Sequence, residues 1–507
     1  MRVISFALLA GGAFGARVSN QHEDLQRDTT YPGPSASDTL ANIPLPTPLT
    51  PRQRRKDRSS LRFVRHMLAM KGASIDEVFC PRSEDDCATV DEYPGRNTHS
   101  ELRFDQVAEE LAHAPEREVR GEIRRLGDLG YLIFNELMWA NDWKTFPIGA
   151  DLEDHRKGRP IADALMGHDS GAWSRDMIRE SAEEFFRVHQ SFNQRDLIRW
   201  NNKLLHKVLL NMDMTDEEED AFETYKGSST IAATLPRWLV SGLRWVFQLQ
   251  TARTKRDELL ETYIQYIDAD TRGLYPTPQD ARDKRFLADL LLTALTSAGG
   301  LSVPTAMGIT FGVLHGAESY GEVVLPNWQD FTLTNRNVEQ FVLESVRRFP
   351  VVVGFPWWDP ENTSFRTVLN IAMALRDPRA WEAPKEFRLR PLSEYHERRG
   401  MGTKIGLAFA QQGIGHNGLT PDSRGCPGQA LSVVIISEIL KAYIPTQNEW
   451  SVGTMPSGGI QITEGPSACN DYTLSRNGHT GESIPYTTLQ LQPHRMKMRL
   501  TQSAWQL

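Results

Sequence analysis

The chain has 507 residues, of which 40% are hydrophobic and 24% charged, an ordinary composition for a globular protein with a large buried core. Its 57 Lys and Arg against 65 Asp and Glu give a formal net charge of -8, so no nucleic-acid partner is expected. Four cysteines in so long a chain exclude the disulfide framework of small secreted domains. We therefore expect small neutral or apolar partners, and a chemical role for any essential cysteine.

The N-terminal part of the chain divides into two segments. Residues 1–16 combine Arg2 with a short apolar run that ends in small residues, which is typical of a secretory signal peptide. The run is shorter than the ~20 apolar residues of a spanning helix, so the secretory pathway is favoured over a permanent anchor, with association with the ER membrane as the alternative. Residues 17–60 are polar and Pro-rich and predict a linker. Its basic cluster, Arg52–Lys56, is either solvated linker or a dibasic processing site.

Two of the cysteines, Cys80 and Cys87, lie in one polar stretch. They either form a disulfide in an oxidising compartment or remain free surface thiols. Both interpretations stay open at the level of the sequence.

Helical periodicity dominates the remaining residues, 61–507, which we interpret as a single domain. Apolar residues three and four apart among charged ones predict amphipathic helices, for example at 175–189, 196–212 and 257–267. Strand-like alternation is confined to short segments, at 367–371, 459–462 and 486–491. The expected fold class is therefore mainly α with small β-sheets.

The strongest candidate for chemistry is Cys426, in the loop Arg424–Gly428. An apolar run at 431–440 follows and predicts a buried helix, so the cysteine lies where a loop enters a helix N-terminus. Backbone N–H groups and the positive end of the helix dipole favour a thiolate there, and a thiolate is the form that ligates iron. Gly428 lets the backbone pass close to a flat macrocycle. The alternative is a buried cysteine beside a helix cap.

Arg-x-Cys-x-Gly before a long apolar helix resembles the haem-binding loop of the cytochromes P450. The resemblance implies a cytochrome P450-like fold, haem as the cofactor, Cys426 as the iron ligand, and Arg424 and Gly428 as further haem-binding residues. Two upstream features occur in the order found in that family. Glu344 and Arg347 stand three apart in a predicted helix, and a segment with Asp-Pro, Trp, Pro and Phe follows at 376–387.

The family implies a role for each of these features. The Glu-x-x-Arg residues form a buried ion pair in the helix behind the haem loop, because a separation of three places both side chains on one helix face. The segment at 376–387 carries the turn that leads to the cysteine. The ion pair is thus expected to be structural.

A long apolar helix with paired glycines is predicted at Leu290–Gly300. The resemblance implies that it crosses the haem face and that its glycines make room for oxygen and substrate. Typical monooxygenases carry an acid followed by Thr just after the glycines, whereas this chain has Leu301 and Ser302. Without the acid, reductive activation of dioxygen lacks its usual proton donor. Ser302 and Thr296 are the candidate catalytic residues that order a water instead.

Two branches of the family are similar in part. The fatty-acid peroxygenases, which use hydrogen peroxide, share the stretch Gln411–His416, but they hold the substrate carboxylate with an Arg where this chain has Val303 before Pro304. The branch that rearranges lipid hydroperoxides shares the glycine pair and Pro304, but usually has Asn where Thr296 falls. Neither similarity is complete.

The other residue assignments rest on looser likeness. The segment that contains His168, Trp173 and Arg175 resembles the propionate-binding helix of the family, with a surface helix as the alternative. The cysteine loop itself departs from the family at Leu419 and Asp422, where an aromatic residue and a glycine are usual. Haem binding tolerates these changes better than any particular activity does.

The resemblance implies a haem-thiolate oxidoreductase that oxidises a hydrophobic, lipid-like molecule, which residues 299–304 and 351–355 contact. Peroxide or a lipid hydroperoxide is favoured as the oxidant. The alternatives are a monooxygenase with a reductase partner, a non-catalytic haem or lipid carrier of the same fold, and a secreted helical binding protein in which Cys426 is merely buried.

Overall fold

The computed structural model of the chain describes residues 98–101, 103–120, 124–125, 152–167, 170–234, 242–319, 321–352, 354–358, 366–399, 402–410, 425–454, 459–462 and 472–476. Several predictions from the sequence lie outside these residues, namely the signal-like segment, the linker, Cys80 and Cys87, and the strand at 486–491.

The described part of the chain is mainly helical, as the sequence predicts. Its first elements are β1 (Thr98–Glu101), α1 (Phe104–Val119), β2 (Arg124–Arg125), α2 (Leu152–Met166), α3 (Arg175–Val188) and β3 (Ser191–Asn193). The middle contains α4 (Gln194–Leu210), α5 (Asp216–Thr234), α6 (Gly242–Ala269), α7 (Ala281–Ala294), a π-helical segment at Leu295–Ser302, and α8 (Val303–Leu314). Among the described residues no helix is both long and apolar enough to cross a membrane.

Helices and short strands alternate in the last third. The elements are β4 (Glu318–Ser319), β5 (Glu322–Val323), α9 (Val338–Arg348), β6 (Phe355–Trp358), β7 (Arg366–Leu369), α10 (Ile371–Ala374), α11 (Leu392–Tyr395), β8 (Arg398–Arg399), β9 (Gly402–Thr403), α12 (Gln429–Tyr443), β10 (Trp450–Thr454) and β11 (Thr473–Arg476). 3₁₀ turns occur at Ile405–Phe409 and Ile444–Glu449.

The three amphipathic helices predicted from periodicity form as α3, as α4 and within α6. Polar caps fix where the first two begin. The Ser174 hydroxyl accepts from the Met177 N–H at the start of α3. Asn193 and Asp196 form a reciprocal capping box at the start of α4. Hydrophobic periodicity and caps therefore agree on the same boundaries.

The sheets are small and join distant parts of the chain. One has the strand order β1-β7-β6-β2, with β1 parallel to β7 and the other pairs antiparallel. Another has the order β10-β11-β3, which ties the C-terminal part of the chain to the start of α4. The strand predicted at 367–371 is confirmed as β7. The strand predicted at 459–462 is wrong, because in it only Gln461 makes an isolated bridge, to Glu318.

The main hydrophobic core lies between α3, α4, α7, α8, α9 and α12. α12 is buried along most of its length, so the loop that precedes it is fixed to the centre of the molecule. The aromatic rings of Phe186, Phe311 and Tyr443 meet edge to face or tilted where α3, α8 and α12 come together.

A smaller core, around Phe104, Trp381 and Tyr395, lies beside α1, α10 and the four-stranded sheet. At its edge the carboxylate of Glu344 on α9 is fully buried, as are Arg347 and Arg390. Arg347 donates to both Glu344 oxygens, at 2.9 and 2.7 Å. The ion pair predicted from the Glu-x-x-Arg spacing is therefore confirmed.

Two further side chains bind the same carboxylate. Arg390 Nη1 donates to Glu344 Oε1 at 2.5 Å, and the Tyr395 hydroxyl donates to Glu344 Oε2 at 2.9 Å. Other N–H groups of the two guanidinium groups donate to backbone carbonyls of the segment before α11. Arg347 binds those of Leu375, Pro384 and Glu386, and Arg390 Nη2 binds those of Glu382 and Ala383. The cluster thus fixes α9 against that segment.

The contribution of the Glu344 carboxylate to the stability of the fold depends on pH. Burial alone raises the pKa of the Glu344 carboxyl, but the hydrogen bonds from Arg347 and the charges of Arg347 and Arg390 outweigh it and leave the pKa below its ordinary value. A carboxyl with a depressed pKa in the folded state contributes stability above its unfolded pKa. It loses that contribution as the pH falls through the folded pKa.

We predict that Glu344→Gln lowers the free energy of unfolding by about 3–5 kcal/mol near neutral pH, because it leaves two buried guanidinium groups without their carboxylate. The measurement is the urea midpoint, taken from neutral pH into acid. The difference between variant and parent should shrink as the parent loses its own Glu344 charge.

The matched control is Glu382→Gln, which removes an exposed carboxylate 3.3 Å from Arg388. Exposed pairs contribute about 0–1 kcal/mol, so this variant should unfold almost like the parent. Equal effects of the two substitutions would contradict the assigned role of Glu344.

Candidate functional site

Cys426 lies two residues before Gly428, the N-cap of α12, as the sequence predicts. Its N–H donates to the Phe409 carbonyl at 2.9 Å, which fixes the loop to the end of the 3₁₀ turn. Gly425 and Gly428 are buried, whereas Cys426 is half-buried. The cysteine therefore keeps part of its surface open between two buried neighbours.

The electrostatic surroundings of the sulfur differ from the expectation. Burial, the strongest influence, raises the pKa of the Cys426 thiol, and the Gly428 N–H and the Arg159 guanidinium only partly oppose it. The helix N-terminus thus does not by itself hold the sulfur as a thiolate, because desolvation of the charge outweighs it. A coordinated metal ion reverses this balance, since a coordinating thiol is deprotonated.

α2 supports the loop from the other side. Arg159 is buried, and its Nη1 donates to the Gly425 carbonyl at 2.6 Å while its Nε lies 2.9 Å from both Asp163 oxygens. His155 is also buried and precedes Arg159 by one helical turn on the same face. At Gly158 an added Cβ would lie 3.2 Å from Leu290, so α2 also packs closely on α7.

Sequence reasoning missed His155 and Arg159. The available signal was a pair of basic residues four apart in a helix whose later residues, Ile161 and Leu165, are buried. Buried basic side chains next to a candidate haem ligand are suited to carboxylates such as the haem propionates. Arg159, like Arg175, already binds a carboxylate of the protein, so what the structure shows for it is support of the cysteine loop.

Of the propionate contacts predicted from the sequence, His168 lies outside the described residues. Trp173 packs on the main core, and its buried Nε1 has no hydrogen-bond partner among the described residues, which fits an oxygen of a bound group. Arg175 begins α3, and its Nη1 lies 3.3 Å from the fully buried carboxylate of Glu438 on α12. Arg175 therefore has a carboxylate of the protein as partner, and its contact with a propionate stays a prediction.

The apolar helix predicted at 290–300 forms, but it changes to π-helix at Leu295–Ser302. Thr296 lies in this segment, and its hydroxyl donates to the Leu292 carbonyl at 2.7 Å. Ser302 is the last residue of the segment and is half-buried. π-Helical turns within α-helices occur frequently at functional sites, because they place side chains off the regular helical positions.

The role predicted for Gly299 needs correction. An added Cβ there would lie 2.8 Å from Asn202 Oδ1 and 3.4 Å from Leu205, both on α4. Since 2.8 Å is closer than real Cβ contacts, Gly299 is needed so that α4 can pack against the π-helical segment. The space that it leaves is occupied by α4 and does not serve oxygen or substrate.

The segment at 351–355, predicted to contact substrate, is described except at position 353. Val351 is buried in the main core. An added Cβ at Gly354 would lie 2.8 Å from the Leu369 carbonyl, so the glycine permits close packing against the end of β7. Contact with a substrate stays a prediction for this segment.

The residues around Cys426 fit a haem group. Arg424 lies outside the described residues. Gly428 lies beside the sulfur, where an added Cβ would make ordinary contacts, 3.9 Å from Cys426 Sγ and 3.7 Å from Met166 Sδ, so the structure does not require a glycine there. Cys426 has open surface, and the indole N–H of Trp173 is a buried donor. In the described part of the chain, no group of three or more His, Cys, Asp or Glu residues could hold a metal ion.

Comparison with known proteins gives a result at the level of the fold. No family model matches the sequence, and no curated protein matches it. Solved structures do match. The hydroxylase HmtN is 14% identical with a TM-score of 0.54, covering 80% of this chain and 96% of its own. CYP164A2 of Mycobacterium smegmatis with econazole is 15% identical with a TM-score of 0.53, covering 82% and 99%.

A third match, a mutant of P450 EryK with erythromycin B, is 13% identical with a TM-score of 0.53 and covers 83% of this chain and 97% of its own. The chain has the cytochrome P450 fold. The fold predicted from the cysteine loop and the Glu-x-x-Arg pair is thus confirmed, although the sequences are so dissimilar. At these identities the P450 fold is established and the chemistry has to be argued from the residues.

Within the P450 fold, α9, α12 and the π-helical segment come from distant parts of the sequence and pack about one core. Cys426 is positioned by three independent contacts of its loop: with Phe409, with Arg159 through Gly425, and with α12. This arrangement can present one sulfur in a fixed direction.

We predict that Arg159→Ala lowers the free energy of unfolding by about 1.5–3 kcal/mol and reduces retention of the haem, because the buried Gly425 carbonyl loses a charged donor. Thermal unfolding and the absorbance ratio of haem to protein measure the two effects. Lys157→Ala, an exposed position on the same helix, is the matched control and should change neither. Unchanged haem retention in Arg159→Ala would show that this residue does not support the loop.

Proposed function

We propose that the protein is a haem-thiolate oxidoreductase with Cys426 as the axial ligand of the iron. The observation that carries the proposal is the loop itself. It presents a half-buried cysteine at the N-terminus of a buried helix, in a chain with the P450 fold. A buried arginine on a second helix, Arg159, holds the adjacent Gly425 carbonyl and so fixes the direction of the loop.

A bound haem with a thiolate ligand would promote cleavage of an O–O bond. The chain supplies the positions of the other groups. Arg159 and His155 are the buried basic residues next to the loop, and Trp173 offers a buried donor.

The substrate that we infer is hydrophobic and lipid-like, because the segments next to the site are apolar. α8 is buried at Val303 and onward through Val313. Among the structures with this fold, P450BioI is described with an acyl carrier protein that carries hexadec-9Z-enoic acid, and EryK with erythromycin B. The fold thus accepts a fatty acyl chain in one relative and a macrolide in another.

We further propose that a peroxide or a lipid hydroperoxide is the oxidant. Leu301 stands where typical monooxygenases carry an acid, so the usual donor of protons to reduced oxygen is missing from the sequence. A peroxide already has the O–O bond at the required oxidation level and needs no electrons from a reductase. Ser302, Thr296 or a bound water would then move the proton.

The second candidate function is a reductase-dependent monooxygenase, with a redox partner. The similarity to HmtN, a hydroxylase, favours it, although only as an analogy of fold. A haem or lipid carrier without catalysis is the third. The compartment that we propose, the secretory pathway, rests on residues 1–16 alone.

We predict that the reduced protein with carbon monoxide has the red-shifted Soret band of a thiolate-ligated haem. Cys426→Ala should abolish that band, and Cys426→Ser should also fail to restore it, because a hydroxyl is a poor iron ligand in its protonated form. A band like that of imidazole-ligated haem in the folded parent would count against the proposal.

We also predict that hydrogen peroxide or a lipid hydroperoxide supports turnover of a fatty acid better than NADPH with a reductase does. Product formation under the two conditions is the measurement, with Cys426→Ala as the control for haem that is not held by the protein. Turnover with NADPH and a reductase, and none with either peroxide, would favour the monooxygenase. Haem binding without turnover under either condition would favour the carrier.

A further inference from the structure

The contact between α4 and the π-helical segment has features that the proposed function does not explain. Asn201 and Asn202 are adjacent on α4, and both are fully buried. The Nδ2 group of Asn201 donates to the Gly299 carbonyl at 3.0 Å. Two consecutive buried amides on the core-facing side of an amphipathic helix are costly unless their polar atoms have partners.

The position of this bond along the helix is significant. Where a helix changes between i→i+4 and i→i+5 hydrogen bonding, a side chain or water that inserts into the ladder can satisfy a carbonyl released from the regular pattern. Gly299 lies within Leu295–Ser302, and the amide of Asn201 reaches its carbonyl from outside the helix. The bond is therefore of the kind that stabilises a π-helical segment.

The hydroxyl of Thr296 does not explain the change of helix type. It donates to the carbonyl four residues earlier, a bond that often bends helices. Thr310 makes the same bond, to Ala306 at 2.6 Å, within α8. α8 stays α-helical there, so a threonine hydroxyl alone does not account for the change. Two features set the π-helical segment apart: the contact from α4, and Pro304, which has no N–H to donate to the Gly299 carbonyl five residues earlier.

The amide pair is itself held in position. Asn202 Nδ2 donates to Glu223 Oε1 on α5 at 3.3 Å, and Glu223 pairs with Lys226 at 2.5 Å. A Cβ added at Gly299 would lie 2.8 Å from Asn202 Oδ1, so a side chain at position 299 would displace the amide pair. The π-helical segment and α4 are thus joined by a hydrogen bond and by close packing at the glycine.

We propose that Asn201 is a positioning residue for the reaction: by binding the Gly299 carbonyl it holds Leu295–Ser302 in π-helical form, which sets the positions of Thr296 and Ser302. This inference rests on the proposed function, since it assigns those hydroxyls to the haem site. Loss of the bond lets the segment return toward α-helix, which rotates every residue after it relative to α4.

The test compares Asn201→Leu, of similar size but without a donor, with Thr310→Val, which removes a buried side-chain hydrogen bond from α8. Hydrogen exchange is followed in the haem-loaded proteins. We expect the amides of Leu295–Ser302 to exchange about tenfold faster in Asn201→Leu than in the parent, and to be unchanged in Thr310→Val. The ferric spin state should shift only in Asn201→Leu, with the thiolate spectrum of the carbon monoxide complex retained.

Turnover gives a third measurement. We expect kcat with peroxide to fall about tenfold or more in Asn201→Leu, with KM within about twofold of the parent, because misplacement of reacting groups affects the chemical step more than binding. Parent-like exchange and spin state in Asn201→Leu, or equal changes in Thr310→Val, would overturn the proposal.

The variant can also fail to fold, so Asn201→Ala serves as a second substitution that adds no bulk. If both variants lose the fold while Thr310→Val keeps it, Asn201 is a folding residue and the proposal is wrong. The proposed function is tested separately, on the unmodified protein. If its reduced carbon monoxide complex lacks the spectrum of a thiolate-ligated haem, the proposed function is wrong.

Discussion

The described structure depends on one buried carboxylate. Glu344 accepts from two guanidinium groups and a phenol, and those guanidinium groups in turn bind the carbonyls of the segment that leads toward the cysteine loop. Charges removed from water are costly unless they are paired and hydrogen-bonded, so the many bonds of this cluster favour one arrangement of that segment. The ring of Trp381 lies 5.3 Å from Arg347 and 5.7 Å from Arg390 and closes the cluster against solvent.

The site uses geometry more than charge. The thiol of Cys426 is buried enough to raise its pKa, yet the residue keeps open surface and its loop is fixed on both sides. The protein therefore orients the sulfur while it is still a neutral thiol, and the free protein bears no cost of desolvating a buried thiolate. The negative charge would form when a metal ion binds and the sulfur loses its proton, so the thiolate would be present only together with the metal ion that stabilises it.

The sequence predicted the parts that depend on local spacing. Helix α9 and its Glu344–Arg347 pair follow from a separation of three residues, and the cysteine loop follows from its place before an apolar run. Arg390 and Tyr395 were not predicted, because they reach Glu344 through a segment with no periodicity. The strand at 459–462 was wrong because alternation over four residues is too weak to specify pairing. Arg159 was missed because the partner that makes a buried arginine recognisable, the Gly425 carbonyl, is distant in sequence.

The π-helical segment was not predicted for a related reason. The apolar run is the same whether it forms α- or π-helix, so its hydrophobic pattern carries no signal. The contact with α4 and the missing N–H of Pro304 set this segment apart. The same contact bears on the role of Gly299, which was expected to make room for oxygen and substrate. The position that its side chain would occupy is filled by α4, so the glycine serves helix packing. The Thr296 hydroxyl proton is committed to the Leu292 carbonyl, so this hydroxyl can accept a hydrogen bond but is not free to donate one. In the proposed peroxide reaction, which needs a proton to be moved but no electrons from a reductase, Thr296 would therefore receive a proton, and Ser302 or a bound water would supply it.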